Sequence, residues 1–72
     1  MIKVGQIYKP KNNDNKDAIF VVTKTEKITD FYYVMWNDGS LFHHNVSEDY
    51  LELIAEYPTW QEAVNSKEFK GE

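Results

Sequence analysis

His43 and His44 are the only histidines in this 72-residue chain, and they are adjacent. Neighbours on a strand point to opposite faces. The pair therefore cannot clamp one metal from one side, and no nearby carboxylate completes a two-histidine-one-carboxylate set. One exposed and one partly buried histidine is expected. The chain has no cysteine, which removes thiol nucleophiles, disulfides and the usual structural zinc. Ser40, Ser47 and Ser66 are the hydroxyl nucleophiles on offer, and none sits in a Gly-x-Ser-x-Gly elbow. Gly5, Gly39 and Gly71 are too scattered to cradle a phosphate. Paired carboxylates for glycoside chemistry need a cleft that so short a chain is barely able to build. These patterns argue against an enzyme and call for no cofactor and no metal.

Charge and aromatic content point instead to binding. Residues 1–27 hold six lysines against Asp14, Asp17 and Glu26, whereas residues 28–66 hold seven acids and no basic residue. The net charge is −4, and arginine is absent. Arginine is the preferred reader of phosphate and guanine. Asp38, Glu48, Asp49, Glu52, Glu56 and Glu62 could line one surface and imitate the phosphates of DNA before a basic partner, or serve only solubility. Lys3, Lys9, Lys11 and Lys16 could meet phosphates near the first loop, but a net acidic domain with a pI of 5.0 is a poor nucleic-acid binder. The eleven aromatic residues must carry most of the stability of a chain without staples. Tyr32, Tyr33, Trp36, Phe42 and Trp60 could also form a methyl-lysine cage or a stacking platform. Trp36, near a hairpin tip, is the first choice for partial exposure.

The elements that must position these groups read as mostly β. Val4–Tyr8 is a short strand bent at Gly5, with Tyr8 and Gln6 on one side and Ile7 on the other, and Pro10 ends it. Residues 11–17 are wholly polar turn formers, a mobile loop. Residues 18–25 are dense in β-branched side chains and apolar on both faces at the start, as in a central, doubly covered strand. Residues 31–36 and 41–46 flank Asp38-Gly39, a strong hairpin signal. A two-residue turn there pairs Trp36 with Leu41 and Val34 with His43. Tyr32, Val34, Trp36, Leu41 and His43 then share one face, and Phe31, Tyr33, Met35, Phe42, His44 and Val46 the other. Neither face is polar, so one lines the core and the other must be covered. Ser47 caps a single helical turn with acids in it. Leu51–Ala55 follows as a last strand, with one continuous helix to Tyr57 as the competing reading. Thr59 and Glu62 form a capping box for a short helix that lays Trp60 on the sheet, and Phe69 anchors a further turn.

This order resembles a small five-stranded SH3-like barrel over residues 1–57, with residues 58–72 an appended C-terminal helix. Val4-Gly5-Gln6-Ile7-Tyr8, Tyr32-Tyr33-Val34-Met35-Trp36 with its Asp38-Gly39 turn, and Tyr57-Pro58-Thr59-Trp60 make the chain similar to small SH3-like proteins of Gram-positive phages and prophages. In outline it also resembles Tudor and KOW modules, which usually recognise peptides or nucleic acids. The phage resemblance implies a bacterial cytoplasm and an accessory, anti-host role. No apolar N-terminal region or membrane-length run is present in the sequence, in keeping with that compartment. The expectation is a non-catalytic protein-binding module, a monomer or weak homodimer, docking a basic host or phage protein through Trp36, Asp38, Glu48, Asp49 and Glu52. The alternative is a nucleic-acid-binding module using Lys9, Lys11 and Lys16.

Overall fold

The computed structural model describes residues 1–71. The protein is mainly β, one antiparallel sheet of five strands in the order β4-β3-β2-β1-β5. The strands are β1 (Gln6–Pro10), β2 (Phe20–Thr25), β3 (Tyr32–Trp36), β4 (Leu41–His44) and β5 (Leu51–Glu56). A 3-10 turn at Glu48–Tyr50 precedes β5, and two short helices, α1 (Trp60–Val64) and α2 (Lys67–Lys70), follow it. A continuous helix through residues 47–57 is excluded: the turn stops at Tyr50, and Leu51 is already extended at φ −126°.

Both faces of the central strands β1 and β2 are covered over their first residues, which is why those stretches read as so little polar. One face gathers Tyr8, Phe20, Val22, Tyr32, Val34 and Leu51, with Ile2 and Trp36 packed against them. The other gathers Ile7 and Val21 under Ala63 and Phe69 of the two helices, ringed by Met35, Ala55, Trp60 and Val64. Phe20, Val21 and Val22 alternate between the two clusters. The continuous apolar run of β2 is thus that of a central strand buried on both sides. Thr59 caps α1 by accepting from the Glu62 amide at 3.2 Å, and Ser66 caps α2 by accepting from the Phe69 amide at 3.2 Å. Tyr57 Oη donates to Glu68 at 2.8 Å, tying the end of β5 to α2.

Gly5 is fixed by its surroundings. Its φ is +92°, and a Cβ there would lie 2.1 Å from the Tyr57 carbonyl oxygen. The Gly5 amide donates to Val22 at 2.9 Å, and its carbonyl accepts from the Tyr57 amide at 3.1 Å. The bend at this residue is where the chain locks β2 to the end of β5.

The hairpin register differs from the expectation. Met35 pairs with Leu41, Val34 with Phe42, Tyr33 with His43 and Tyr32 with His44. The Gly39 amide donates to Trp36 O and the Trp36 amide to Ser40 O, both at 2.9 Å, with Gly39 at φ +90°. This is the three-residue loop in which a type I turn ends in a left-handed glycine, not the two-residue turn. One residue of slip moves every β4 side chain to the other face. His44 and Phe42 therefore lie on the side of Tyr32, Val34 and Trp36, and Leu41 and His43 on the side of Tyr33 and Met35.

Candidate functional site

The slip builds an aromatic groove at one end of the first cluster. His44 comes within 5.5 Å of Phe20, 5.6 Å of Trp36 and 5.9 Å of Phe42, ring centre to ring centre. Trp36 stands edge-on to Phe20 at 5.1 Å, half in the core and half in the groove. Two adjoining depressions of about 510 and 530 Å³ share Asn13, Trp36 and His44. The first runs from there toward Pro10, Val46 and Tyr50. The second runs toward Asn15, Asp38, Ser40 and Phe42. Tyr50 and Phe42, at the two ends, are 61% and 53% exposed. An exposed aromatic at each end with a half-buried tryptophan between is a surface for stacking.

The polar wall opposite is the loop of residues 11–17, which hydrogen bonds hold to the rest of the chain. Asn13 Oδ1 accepts from the Asn15 amide at 2.9 Å, and Asn15 Oδ1 from the Asp17 amide at 3.0 Å, two consecutive Asx turns. Asn37 Nδ2 donates to Asp17 O at 2.8 Å, and the Asn37 amide to Ile19 O at 2.9 Å, tying the hairpin tip to the loop. At the far end the Lys11 amide donates to Tyr50 O at 2.9 Å.

Electrostatics follow from these contacts. Asp38 accepts from Ser40 N at 2.9 Å and Ser40 Oγ at 2.6 Å, and these bonds hold its carboxyl below the usual range, so the hairpin tip stays anionic. Burial among the rings, with His43 next in the chain, pushes the His44 imidazole below its ordinary value. His44 Nδ1 is buried with no hydrogen-bond partner. Burial, followed by the nearby Tyr8, raises the Tyr32 hydroxyl to about 12, and Tyr32 Oη donates to Val46 O at 2.7 Å.

Of the residues expected to bind a partner, Trp36 and Asp38 line the groove together. Glu48 and Asp49 lie in the 3-10 turn that carries Tyr50. Glu48 faces a different cleft, of about 590 Å³, together with Glu26, Asp30 and Phe31, and is bridged at 2.6 Å by the N-terminal ammonium. Glu52 stands on β5 opposite Lys9 of β1. The lysines are interleaved with these acids: Lys9 faces Glu52, and Lys11 Nζ donates to Asp49 O at 3.3 Å. Lys16 sits exposed in the first loop. The five aromatic residues read as one set do not converge. Tyr32, Trp36 and Phe42 belong to the face of the first cluster, whereas Tyr33 stacks on His43 and Trp60, the first residue of α1, packs against the second cluster on the other.

The histidines divide as adjacent strand residues must. His43 is exposed, stacked on Tyr33 at 4.4 Å and bonded to Glu26 at 2.5 Å, while His44 faces the groove. No group of three or more metal-ligating side chains comes together among the described residues. No helix among them is long and apolar enough to cross a membrane. Sequence reasoning named Phe42 as a stacking residue but put it on the other face of the hairpin, and it assigned neither His44 nor Tyr50 to a binding surface. Phe42 and His44 were displaced by the register, and the signal for them was Gly39, whose left-handed conformation suits a three-residue loop as well as a tighter turn. No family model matches the chain, and neither do curated proteins or solved structures.

Proposed function

We propose that this protein is a non-catalytic protein-binding module whose docking surface is the groove along Trp36, His44 and Phe42, and that it takes an extended, basic segment of a partner protein. The observation that supports this most is the pairing of Trp36 with Asp38 in one depression, an aromatic face beside a carboxylate held ionised. A lysine or arginine of the partner would lie over the indole while its charge meets Asp38, combining cation–π attraction with an ion pair. Tyr50 at the other end would bury an apolar residue of the same segment. Glu48, Asp49 and Glu52 lie outside the groove and would act on a basic partner only through the general acidic field of the protein. On this reading, which rests on the phage-type resemblance of the sequence, the module would act in a bacterial cytoplasm on a host or phage protein.

The test is capture from a nuclease-treated bacterial lysate at low and high salt, with the unmodified chain, Trp36→Ala and Asp38→Lys as baits. A protein held by the unmodified chain at low salt and lost by both variants supports the reading. Capture that survives both changes overturns the groove as the surface. Binding that appears only when nucleic acid is left intact, and that depends on Lys9, Lys11 and Lys16, moves the function to the nucleic-acid alternative.

A further inference from the structure

The two edges of the sheet are defended very differently. On β5, Glu52 and Glu56 place charges along the strand, and the register breaks between Leu53 and Ala55, leaving Ile54 as the extra residue of a bulge. Charges and bulges are the common devices that stop an edge from pairing with another chain. β4 has neither. Its residues are Leu41, Phe42, His43 and His44, with no lysine, acid or proline, and its pairing with β3 is regular.

Backbone geometry says which groups this edge presents. The Trp36 amide donates to Ser40 O at 2.9 Å, which makes those two residues a hydrogen-bonded pair. Such pairs alternate along an antiparallel ladder. Ser40, Phe42 and His44 therefore turn their backbone groups toward β3. Leu41 and His43 turn theirs outward to the open edge. The side chains around these groups are apolar and exposed: Leu41 is 72% exposed, Phe42 53%, Tyr33 40% and Phe31 39%. The helices do not reach this part of the sheet, for α1 and α2 pack with Ile7 and Val21 of β1 and β2. The flanking charges are already engaged, Lys24 lying 5.7 Å above the Tyr33 ring and Glu26 bonded to His43.

We propose that β4 is a self-association edge, pairing antiparallel with β4 of a second copy across a two-fold axis through Phe42. In that register Leu41 of each copy stands opposite His43 of the other, and each such pair exchanges both backbone hydrogen bonds. Phe42 meets its own counterpart at the axis, in the non-hydrogen-bonded position where side chains approach most closely. The outward-facing residues are spaced symmetrically about Phe42, so one strand supplies both halves of the contact, as an isologous interface requires. A second copy brings an edge strand with no lysine or acid of its own, so no like charges of that strand meet across the axis. The area sets the strength. With aromatic side chains at roughly 150–250 Å² when fully exposed, the four apolar residues offer about 400 Å² per copy. The total, about 800 Å² for two copies, falls below the ~1,000 Å² floor of specific interfaces, which makes this a weak, concentration-dependent dimer. It also sets two aromatic grooves side by side, because Phe42 lines each of them.

Sedimentation velocity over a wide concentration range tests this, joined to amide hydrogen exchange at the two extremes. The expected result is a mass that rises from 8.5 kDa toward twice that value. The Leu41 and His43 amides should gain protection with concentration, while the Phe42 amide is protected throughout. Phe42→Lys, which sets two ammonium groups against each other at the axis, should stay monomeric and keep its fold by circular dichroism. If that variant unfolds, Leu41→Lys supplies the same charge one residue away, on a side chain that is largely in solvent. A chain that stays monomeric at the highest concentration with Leu41 and His43 exchanging freely overturns the proposal. So does a dimer that protects β5 amides instead. Neither outcome touches the groove reading, which rests on capture of a different protein.

Discussion

Phe69→Ala tests how the second face of the sheet is kept from water. Phe69 is 6% exposed and is the largest side chain that α2 lays against Ile7 and Val21, both fully buried. Truncating a buried phenylalanine to alanine costs about 3–5 kcal/mol through lost transfer energy and the cavity left behind. The site lies near the chain end, where α2 can settle into part of that cavity, so the lower figure, about 3 kcal/mol, is expected. A domain of this length has a stability of roughly 4–11 kcal/mol at 0.05–0.15 kcal/mol per residue. The loss is then about a quarter or more of the whole. Urea unfolding reads it: with a slope near ~1 kcal/mol/M for a small chain, the midpoint should fall by about 3 M. The two tryptophans report the two clusters separately, Trp36 the first and Trp60 the second. With Trp36 replaced by phenylalanine, Trp60 emission should be that of a partly buried indole before urea is added and should shift in the main transition. If Phe69→Ala leaves too little stability to measure, Phe69→Leu, which keeps most of the volume, should cost less than about 1.5 kcal/mol. A Phe69→Ala loss below about 1 kcal/mol, or a Trp60 already solvated in the native baseline, would refute the docking of α1 and α2 on the sheet.

Gly5→Ala and Gly39→Ala separate a steric cost from a conformational one. Both residues have φ near +90°, but a Cβ at Gly39 meets nothing within 4 Å, whereas at Gly5 it meets the Tyr57 carbonyl oxygen at 2.1 Å. Gly39→Ala should cost about 1–2 kcal/mol in urea unfolding, and Gly5→Ala distinctly more, with loss of the native fold as its limit; equal costs would mean that Tyr57 yields freely. Tyr32→Phe removes the donor to Val46 O at 2.7 Å and should lower stability by about 1 kcal/mol, with Phe42 and Trp36 resonances undisturbed by NMR. His44, held neutral by burial, titrates below its ordinary value of 6.5 in the folded chain. Between that lowered value and 6.5 the unfolded chain binds more protons, so stability rises with pH across this window and is lost as pH falls through it. The urea midpoint of the unmodified chain should fall on acidification through that range, and His44→Phe should flatten the step. A midpoint that rises on acidification would contradict a buried neutral imidazole.

The fold was legible where local chemistry and tertiary context agree. The stretch 18–25 reads as a central strand because its apolar residues are consecutive, and the structure forms β2 over Phe20–Thr25 and buries Phe20, Val21 and Val22 alternately on two faces. Thr59 and Glu62 announce a helix start, and Ser47 a single turn, because a cap is a local hydrogen bond that needs no distant partner. The hairpin faces were not legible. Asp38-Gly39 is compatible with turns of two and of three residues, and the difference of one residue inverts β4. What decides between them lies outside the hairpin. On the observed side, His44 finds Phe20, and Phe42 reaches the groove. On the other side, Leu41 and His43 would have had to fill the space beside Trp36. The candidate site depends on the same turn, since two of its aromatic walls, Phe42 and His44, come from the strand that the turn aims.

The charge pattern shows the opposite failure, a clear signal along the chain that the fold dissolves in space. Six lysines in the first 27 residues and seven acids in residues 28–66 read as two poles. β1 pairs with β5, however, and that pairing sets Lys9 against Glu52, brings Lys11 to the Asp49 carbonyl and leaves Gln6 bonded to Glu56. A closing strand that returns to the first strand brings the ends of the sequence together, so a segregated sequence becomes a mixed surface. Asp38 lies away from the β1–β5 seam, at the hairpin tip beside Trp36. An acidic groove rather than an acidic face is what remains for a basic partner. Salt should therefore weaken binding by the few charges at that tip, and Asp38→Lys should shift the salt dependence of capture more than Glu52→Lys does. Equal shifts from the two changes would return the weight of the interaction to the dispersed acids and away from the groove.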